Sequence, residues 1–193
     1  MFFDLVKKNR SYRRFYENEP ISKETLAKLI DYARLSPSGS NRQALRYYIS
    51  YDQETNNKLC DSVLWAMYLK DWDGPTPGER PTGYIVIVQH VEYKMAAPID
   101  HGIAAQSILL GATELGLGGC MFANIRREQL REILNIPECY EILLVIALGK
   151  PKEVVVIDEI DPDGDIKYWR DRDSVHHVPK RKLKDIILNV EDL

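Results

Sequence analysis

The chain has 193 residues, of which 45% are hydrophobic and 28% are charged, and its formal net charge is −3. These values are typical of an ordinary globular protein with one sizeable core, and the negative balance argues against a general nucleic-acid surface. Its three cysteines contain no CxxC pair, and neither a signal-peptide core nor a run of about 18 apolar residues is found. We therefore expect a single domain over residues 1–193, in the cytoplasm, with no membrane or nucleic-acid partner.

The first half of the chain is predicted to alternate short helices and strands. Residues 2–8 are expected to form a short helix. A second helix begins after Ser22, a favourable N-cap, and ends before Pro37, which disfavours helical geometry at the residue preceding it. Residues 47–51 are predicted to form a strand, and Asp52 is expected to cap a third helix. That helix is expected to carry Leu59, Val63, Ala66 and Met67.

The second half opens with a turn-rich loop over 72–81 and a continuous apolar run over 84–89, which is typical of a strand covered on both faces. The longest helix is predicted over 99–117. Because it is apolar on more than one face, we expect burial on several sides, with a subunit interface as one candidate. The remaining predicted elements are a strand over 120–123, a helix over 127–134, a strand over 142–149, a turn at 161–165, a hairpin with arms 166–169 and 175–178, and a closing helix over 182–188. This order contains no clean βαβ series and favours an α+β fold.

No metal site is predicted. The acidic turn at 161–165 has the spacing of a calcium loop, but Ile166 stands where glycine is required and Arg172 where a carboxylate is required. The adjacent His176 and His177 point to opposite faces if they lie on a strand, which makes them a poor pair of metal ligands. A structural or surface role is the better interpretation of the histidines.

Two polar stretches carry the candidate chemistry. In residues 9–15, here called the basic segment, the guanidiniums of Arg10 and Arg13 flank the hydroxyl of Ser11, a spacing that can bind a phosphate and the polar edge of an attached ring. A solvated basic stretch is the alternative. Residues 36–43, here called the polar loop, hold more donors and acceptors than a simple connection requires, beside a proline and a glycine that shape the backbone.

The order of these motifs carries a resemblance. The chain has Arg-Ser-x-Arg-x-Phe at 10–15, Ser-Pro-Ser-x-x-Asn-x-Gln at 36–43, a long apolar helix ending in Gly-Leu-Gly-Gly-Cys at 116–120, and Lys-Arg at 180–181. In this order they resemble the FMN-dependent nitroreductase family over essentially the whole chain. The resemblance implies a homodimer with an α+β fold, in which helices flank a central, mostly antiparallel sheet and FMN binds at the subunit interface.

The resemblance also implies a set of site residues. Arg10 and Ser11 would hold the FMN phosphate, and Arg13 would reach the ribityl chain and the N1/O2 edge of the ring. The polar loop would come from the other subunit to the pyrimidine side of the ring. The complete implied cofactor-binding set is Arg10, Ser11, Arg13, Pro37, Ser38, Ser40, Asn41, Gln43, Phe122, Ala123, Asn124, Lys180 and Arg181.

The chain departs from the family pattern in three places. Asn9 stands where the family often has arginine, and Ala44 where it usually has proline. The loop at 71–81 is an insertion relative to the general pattern and is a candidate lid or wall over the flavin. Near it, three aromatic residues are expected either to stack on a substrate or to pack beneath the loop; they are Trp65, Tyr68 and Trp72.

The implied function is that of an NAD(P)H-dependent FMN oxidoreductase with ping-pong kinetics, which passes electrons through flavin N5 to a small nitroaromatic or quinone-like acceptor. No protein nucleophile or general acid is expected, because the flavin carries the chemistry. Three alternatives stay open at this point. They are another flavin reaction on the same scaffold such as dehalogenation, a flavin store or sensor without turnover, and an RNA- or phosphoprotein-binding domain that uses the basic clusters.

Overall fold

The structure is a computed structural model of the chain, and it describes residues 1–93 and 99–189. The chain divides into two compact units. The larger unit comprises Met1–Leu64 and Gly74–Lys152, and the smaller comprises Trp65–Asp73 and Glu153–Leu193.

The larger unit contains five helices and four strands in its described residues. In chain order these are α1 (Phe2–Lys8), α2 (Lys23–Leu35), β1 (Leu45–Ser50), α3 (Gln53–Ser62), β2 (Gly83–His90), α4 (Asp100–Glu114), β3 (Gly118–Phe122), α5 (Arg127–Leu134) and β4 (Tyr140–Gly149). Single 3-10 turns lie at Gly39–Asn41 and Val91–Tyr93.

The four strands form one sheet in the order β1-β2-β4-β3, and all three pairings are antiparallel. The central strands β2 and β4 are almost completely buried, as expected for strands covered on both faces. Together with its helices, this sheet confirms the predicted α+β fold and its mostly antiparallel sheet.

Helices α2 and α4 bury their apolar faces in the same core as the sheet. Leu26 and Leu29 of α2 and Ile108 of α4 are fully buried there. The two helices approach closely at Gly111, where an added Cβ would lie 2.4 Å from the ring of Tyr32. This contact requires a residue without a side chain, which explains a glycine in the middle of a helix.

The two predicted helix N-caps are confirmed. The hydroxyl oxygen of Ser22 accepts the Thr25 N–H at 3.2 Å, and the carboxylate of Asp52 accepts the Thr55 N–H at 2.9 Å. Such bonds satisfy backbone donors that the first helical turn leaves without partners. The local signals therefore located the starts of α2 and α3 correctly.

The smaller unit contains β5 (Val155–Ile160), β6 (Trp169–Arg170) and β7 (His176–Arg181) in one three-stranded sheet. Its order is β5-β7-β6, with β5 parallel and β6 antiparallel to β7. The predicted hairpin is present, since β6 and β7 pair in antiparallel orientation. Its first arm is shorter than expected, however, because only two residues of β6 pair with β7.

Two helix predictions are wrong. The chain over 182–188 forms only a 3-10 turn at Leu183–Asp185, and its apolar side chains Ile186 and Leu188 are exposed, so no core face supports a helix there. Helix α3 ends at Ser62, so Val63, Ala66 and Met67 do not belong to it. Val63 is extended and bridges Ile125, so tertiary pairing overrides its helical spacing.

Candidate functional site

The basic segment lies along the edge of the sheet. Asn9 closes α1 in an extended conformation, with its N–H bonded to the carbonyl of Leu5 at 2.9 Å. Beyond it, Ser11 forms a parallel bridge with Gly119 of β3, and the N–H of Tyr12 donates to the Gly119 carbonyl at 3.0 Å. Two stretches that are more than 100 residues apart in sequence are therefore adjacent in space.

Glycine is required where these stretches meet. A Cβ on Gly119 would lie 2.4 Å from the backbone oxygen of Ala147 in β4, and a Cβ on Gly118 would lie 2.4 Å from the ring of Tyr12. Real side chains do not tolerate such distances, and the first contact is with backbone that cannot rotate away. The Gly-Gly pair therefore permits the basic segment and β4 to pack on either side of β3.

The two arginines implied for cofactor binding are held close to the backbone. Arg10 donates through Nη2 to the carbonyl of Val6 at 2.9 Å, while its Nε is buried and has no hydrogen-bond partner among the residues described. Arg13 is buried and donates through Nη1 to the Ser11 carbonyl at 3.3 Å. Because a buried guanidinium N–H without a partner is costly, the Nε of Arg10 favours an anionic acceptor from outside the chain.

The neighbouring arginine is already neutralised by an acidic residue. Arg14 donates through Nε and Nη2 to the carboxylate of Glu79 at 2.5 and 2.6 Å, and Lys152 lies 3.0 Å from the same carboxylate. The Arg14 guanidinium, followed by Lys152, lowers the pKa of Glu79 to about 2. Glu79 also accepts the Phe15 N–H at its backbone oxygen, so it fixes the end of the basic segment.

The polar loop contains left-handed backbone at residues other than glycine. Ser40, Asn41 and Gln43 have φ values of 51°, 53° and 49°. Such values are uncommon for residues other than glycine, though less so for Asn, and they often persist at functional sites where surrounding contacts enforce them. Within the loop, the Ser38 hydroxyl accepts the Gln43 N–H at 3.2 Å.

Helix α4 anchors the polar loop at two points. The Ser36 hydroxyl donates to Ser107 Oγ at 2.7 Å, and the Gly39 N–H lies 3.0 and 3.2 Å from the two carboxylate oxygens of Asp100. Asp100 is only 3% exposed. The loop and the start of α4 are thus held as one piece.

A cavity of about 520 Å³ opens beside the polar loop. That volume is within the range of small-molecule and cofactor sites, which is roughly 300–1,000 Å³. The lining includes four of the residues implied by the resemblance and two from neighbouring elements; they are Pro37, Ser38, Asn41, Gln43, Tyr47 and Asp100. Burial raises the pKa of Tyr47, so its hydroxyl stays protonated at neutral pH.

The segment after β3 also contributes exposed groups. Phe122 is buried at the end of the strand, whereas Ala123 and Asn124 are exposed. Their carbonyls are used within the larger unit, since Arg127 donates to Ala123 O at 3.3 Å and the Leu64 N–H donates to Asn124 O at 3.2 Å.

The predicted aromatic substrate residues lie in the smaller unit, where they pack with other side chains. The rings of Trp65 and Trp72 meet edge to face at 6.1 Å, and the guanidinium of Arg170 lies 4.3 Å from the centre of the Trp72 ring. Tyr68 lies 4.9 Å from Tyr168. These contacts favour the packing interpretation for part of each ring, and a substrate role stays a prediction.

Lys180 and Arg181 lie at the end of β7 with exposed side chains. Arg181 donates through Nη1 to the carbonyl of Pro162. Their role toward a phosphate stays a prediction of the resemblance.

Sequence reasoning missed Asp100 and Glu79. For Asp100 a weak signal existed, because acidic residues favour the first turn of a helix and this one opens the longest helix. Glu79 gave no local signal, since its partner Arg14 lies 65 residues away in sequence.

Residues 1–93 and 99–189 were searched for membrane-spanning helices and for metal-binding groups. No helix in these ranges has the length and apolar character needed to cross a membrane. No group of three or more His, Cys, Asp or Glu side chains in them is placed to hold a metal ion.

The fold is α+β with an antiparallel sheet. One edge of that sheet depends on glycine, and a strained polar loop lies beside a cavity. The family model described as the nitroreductase family matches residues 6–150. The chain therefore belongs to the nitroreductase family.

Individual relatives agree with this assignment. A protein of Archaeoglobus fulgidus, named as a candidate NADH dehydrogenase/NAD(P)H nitroreductase, is 29% identical over 150 residues, which cover 72% of this chain and 80% of that protein. An FMN-dependent nitroreductase structure from Clostridium difficile is 26% identical, with a TM-score of 0.63, and the match covers 78% of this chain and 88% of that one. A nitroreductase family structure from Clostridium novyi shares the fold at 24% identity, a TM-score of 0.66 and coverage of 79% and 87%.

Proposed function

We propose that this chain is an FMN-dependent oxidoreductase that takes electrons from NAD(P)H and delivers them to a small organic acceptor, nitroaromatic or quinone-like. The observation that carries the proposal is the basic segment, in which Arg10 keeps a buried Nε without a partner among the described residues, beside the glycine-dependent edge of β3. Family membership and the names of relatives, which include NAD(P)H nitroreductase and NADPH-dependent oxidoreductase, support it.

The phosphate end of FMN is assigned to the basic segment. Arg10 offers a buried Nε donor that has no partner among the described residues, and the Ser11 side chain is exposed beside it. Arg14 is excluded from this role because Glu79 already binds two of its donors. Lys180 and Arg181 complete the phosphate ligands in the proposal by resemblance alone. The residue at position 9 is an asparagine that closes α1, so the phosphate loses the cation that the family often has there.

The ring end of FMN is assigned to the polar loop, together with residues 122–124. An isoalloxazine ring presents alternating donors and acceptors along its pyrimidine edge, and the loop presents hydroxyl and amide groups beside a cavity. Its members in this role are Pro37, Ser38, Ser40, Asn41 and Gln43. Three of these residues, Ser40, Asn41 and Gln43, have left-handed backbone.

When bound, FMN supplies the redox chemistry by accepting hydride at N5 and passing electrons to the acceptor. The chain contributes binding, orientation and charge. Arg13 would supply a fixed positive charge toward the N1/O2 edge, where it would favour the negative charge that reduction places there. The proposal assigns no side chain as a nucleophile or general acid, and it leaves Trp65, Tyr68 and Trp72 as acceptor contacts.

A homodimer is part of the proposal, because the family's site takes its two ends from different subunits. Surface-exposed apolar residues support it. Phe2 and Phe3 on α1 are 70% and 66% exposed, and Ile99 beside the start of α4 is 68% exposed. Monomeric proteins rarely leave several large apolar side chains in water on adjacent elements, and α1 and α4 are in contact.

The test is an absorbance spectrum of the protein after incubation with FMN and desalting, followed by anaerobic addition of NADH and then NADPH. Retained flavin bands that bleach rapidly with one of these donors are expected. Flavin that is retained but stays oxidised would contradict the enzyme and favour a store or sensor. Absence of retained flavin would contradict the cofactor assignment itself.

A further inference from the structure

The polar loop needs an external support for its conformation. Three of its residues have left-handed φ values, which their side chains disfavour, and its internal bonds are short-range. A loop of this kind relaxes to other conformations unless a rigid neighbour holds it. The 3-10 turn that begins the strained part starts at Gly39.

Asp100 supplies that support. Both of its carboxylate oxygens lie within hydrogen-bonding distance of the Gly39 N–H, at 3.0 and 3.2 Å. The side chain is 3% exposed, and the residue opens α4, where the positive end of the helix dipole stabilises a carboxylate.

The helix that carries Asp100 is rigid. Ala104 and Ala105, one turn further on, are buried in the core, as are Ile108 and Leu109. The carboxylate is therefore fixed with respect to the core, and its hydrogen bond to the Gly39 N–H fixes that peptide as well. The next two residues, Ser40 and Asn41, are among those assigned to the flavin ring.

We propose that Asp100 is a positioning residue for the flavin: through the Gly39 peptide it holds the polar loop in the conformation that presents Ser40, Asn41 and Gln43 to the ring edge. This inference rests on the proposed FMN site and deepens it. Asp100 acts through the loop and requires no contact of its own with the cofactor.

The test compares Asp100→Ala, Asp100→Asn and Ser107→Ala in the full-length protein. Asparagine keeps an oxygen that accepts the Gly39 N–H, whereas alanine removes it. Ser107→Ala is the matched control, because it deletes the other hydrogen bond between α4 and the loop, at Ser36, ahead of the strained residues.

Two readouts are needed. In the flavin-free protein, amide exchange at Gly39 should accelerate in Asp100→Ala and stay near the wild-type rate in the other two variants. In a fluorescence titration, Asp100→Ala should bind FMN about tenfold more weakly, which corresponds to about 1.4 kcal/mol, and the other two should stay within about threefold.

Several outcomes overturn the inference. Unchanged FMN affinity in a folded Asp100→Ala protein would do so. An Asp100→Asn protein that binds FMN as weakly as the alanine variant would also do so, because the charge of the side chain, and not its acceptor oxygen, would then determine FMN affinity. If Asp100→Ala does not fold, Gly39→Pro removes the N–H donor instead. The backbone tolerates proline there, because Gly39 has a negative φ and the preceding Ser38 is extended. Wild-type affinity in that variant would equally contradict the inference. A wild-type protein that binds no FMN contradicts the proposed function itself, a result distinct from these.

Discussion

At the scale of single residues, Arg10 has the clearest expected effect on binding. Its Nε is buried without a partner among the described residues. A hydrogen bond from this guanidinium to a phosphate would be charge-assisted, because both groups are ionised. We expect Arg10→Ala to weaken FMN binding by about 1.5–3 kcal/mol, the usual value for a hydrogen bond to a charged group. Fluorescence titration of the flavin measures this change.

Riboflavin is the matched ligand for this experiment, because it has the same ring and no phosphate. Its affinity should change little in Arg10→Ala. An equal loss for both ligands would show that the substitution damages the whole site, and an unchanged FMN affinity would reject the phosphate role.

Gly119 has a predicted effect on stability. An added methyl group would lie 2.4 Å from the Ala147 backbone oxygen, so Gly119→Ala must displace β3 from β4. We expect a loss of about 1–3 kcal/mol in the free energy of unfolding, the usual cost of overpacking. Gly102→Ala is the control, because no described atom lies within 4 Å of a Cβ added to that helical glycine, and it should be neutral or stabilising. Equal urea midpoints for the two variants would contradict the account.

Glu79 links stability to pH. Arg14 and Lys152 lower its pKa to about 2 from an ordinary value of 4.5, so its contribution is fully present above pH 4.5 and is lost as the pH falls toward 2. We expect Glu79→Gln to reduce the free energy of unfolding at pH 7 by about 1–3 kcal/mol, because it breaks a largely buried charged pair. Urea unfolding at pH 7, 4 and 3 measures it.

The control for Glu79 is Glu54→Gln, whose partner Lys58 is an exposed neighbour one helical turn away. Exposed pairs of this kind contribute about 0.3–0.5 kcal/mol. The difference between wild type and Glu79→Gln should narrow as the medium becomes acidic. A difference that stays constant from pH 7 to pH 3 would show that the carboxylate charge is not responsible.

At the scale of elements, His177 joins the strands of the smaller unit. Its Nδ1 lies 2.8 Å from Asp158 of β5, its Nε2 lies 3.4 Å from Asp171 beyond β6, and the ring of Trp169 stacks on it at 4.1 Å. The Asp158 carboxylate, followed by Asp171, raises the pKa of His177. The protonated ring therefore bridges two carboxylates on opposite sides of β7.

This bridge predicts a stability that declines in alkaline medium. Because the folded pKa of His177 exceeds its ordinary value of 6.5, the contribution is complete below pH 6.5 and is lost as the pH rises through the raised value. Thermal melts between pH 6 and 9 should show the decline in wild type and a weaker decline in His177→Asn. An NMR titration that places the His177 pKa below 6.5 would refute the bridge.

Local chemistry explains which elements the sequence predicted well. The caps at Ser22 and Asp52 and the apolar runs of β2 and β4 follow from side chains that act within a few residues. Strand β5 was missed because it contains Asp158 and Glu159 and pairs with β7 from across the smaller unit. The prediction of a closing helix over 182–188 was wrong for the opposite reason. The apolar residues there have a helical spacing, but no core lies beside them to stabilise a helix.

The candidate site divides in the same way. The groups proposed to face the ligand, at 10–13 and 36–43, lie in short contiguous motifs, which a resemblance can detect. The residues that hold those motifs, Glu79 and Asp100, act across 65 and 61 residues of sequence. Only a folded chain brings such partners together, so no pattern in one sequence reveals these two pairings.

At the scale of the whole molecule, the central claim is that each FMN lies between the basic segment of one subunit and the polar loop of the other. Within one chain, the polar loop forms hydrogen bonds with α2, α4 and β1, and the basic segment forms them with α1, β3, Lys152 and the loop that contains Glu79. A dimer with two shared sites would bring the basic segment of one subunit to the polar loop of the other.

Mixed dimers test this claim most directly. One subunit carries Arg10→Ala and the other Asn41→Ala, each with a different purification tag, and FMN is titrated against the isolated mixed dimer and both variant homodimers. Binding should be weakened in both homodimers. In the mixed dimer we expect one site of wild-type affinity and one of very low affinity, because both substitutions fall in the same shared site. Two equally weakened sites in the mixed dimer would contradict the claim, since each flavin would then be held by residues of a single subunit.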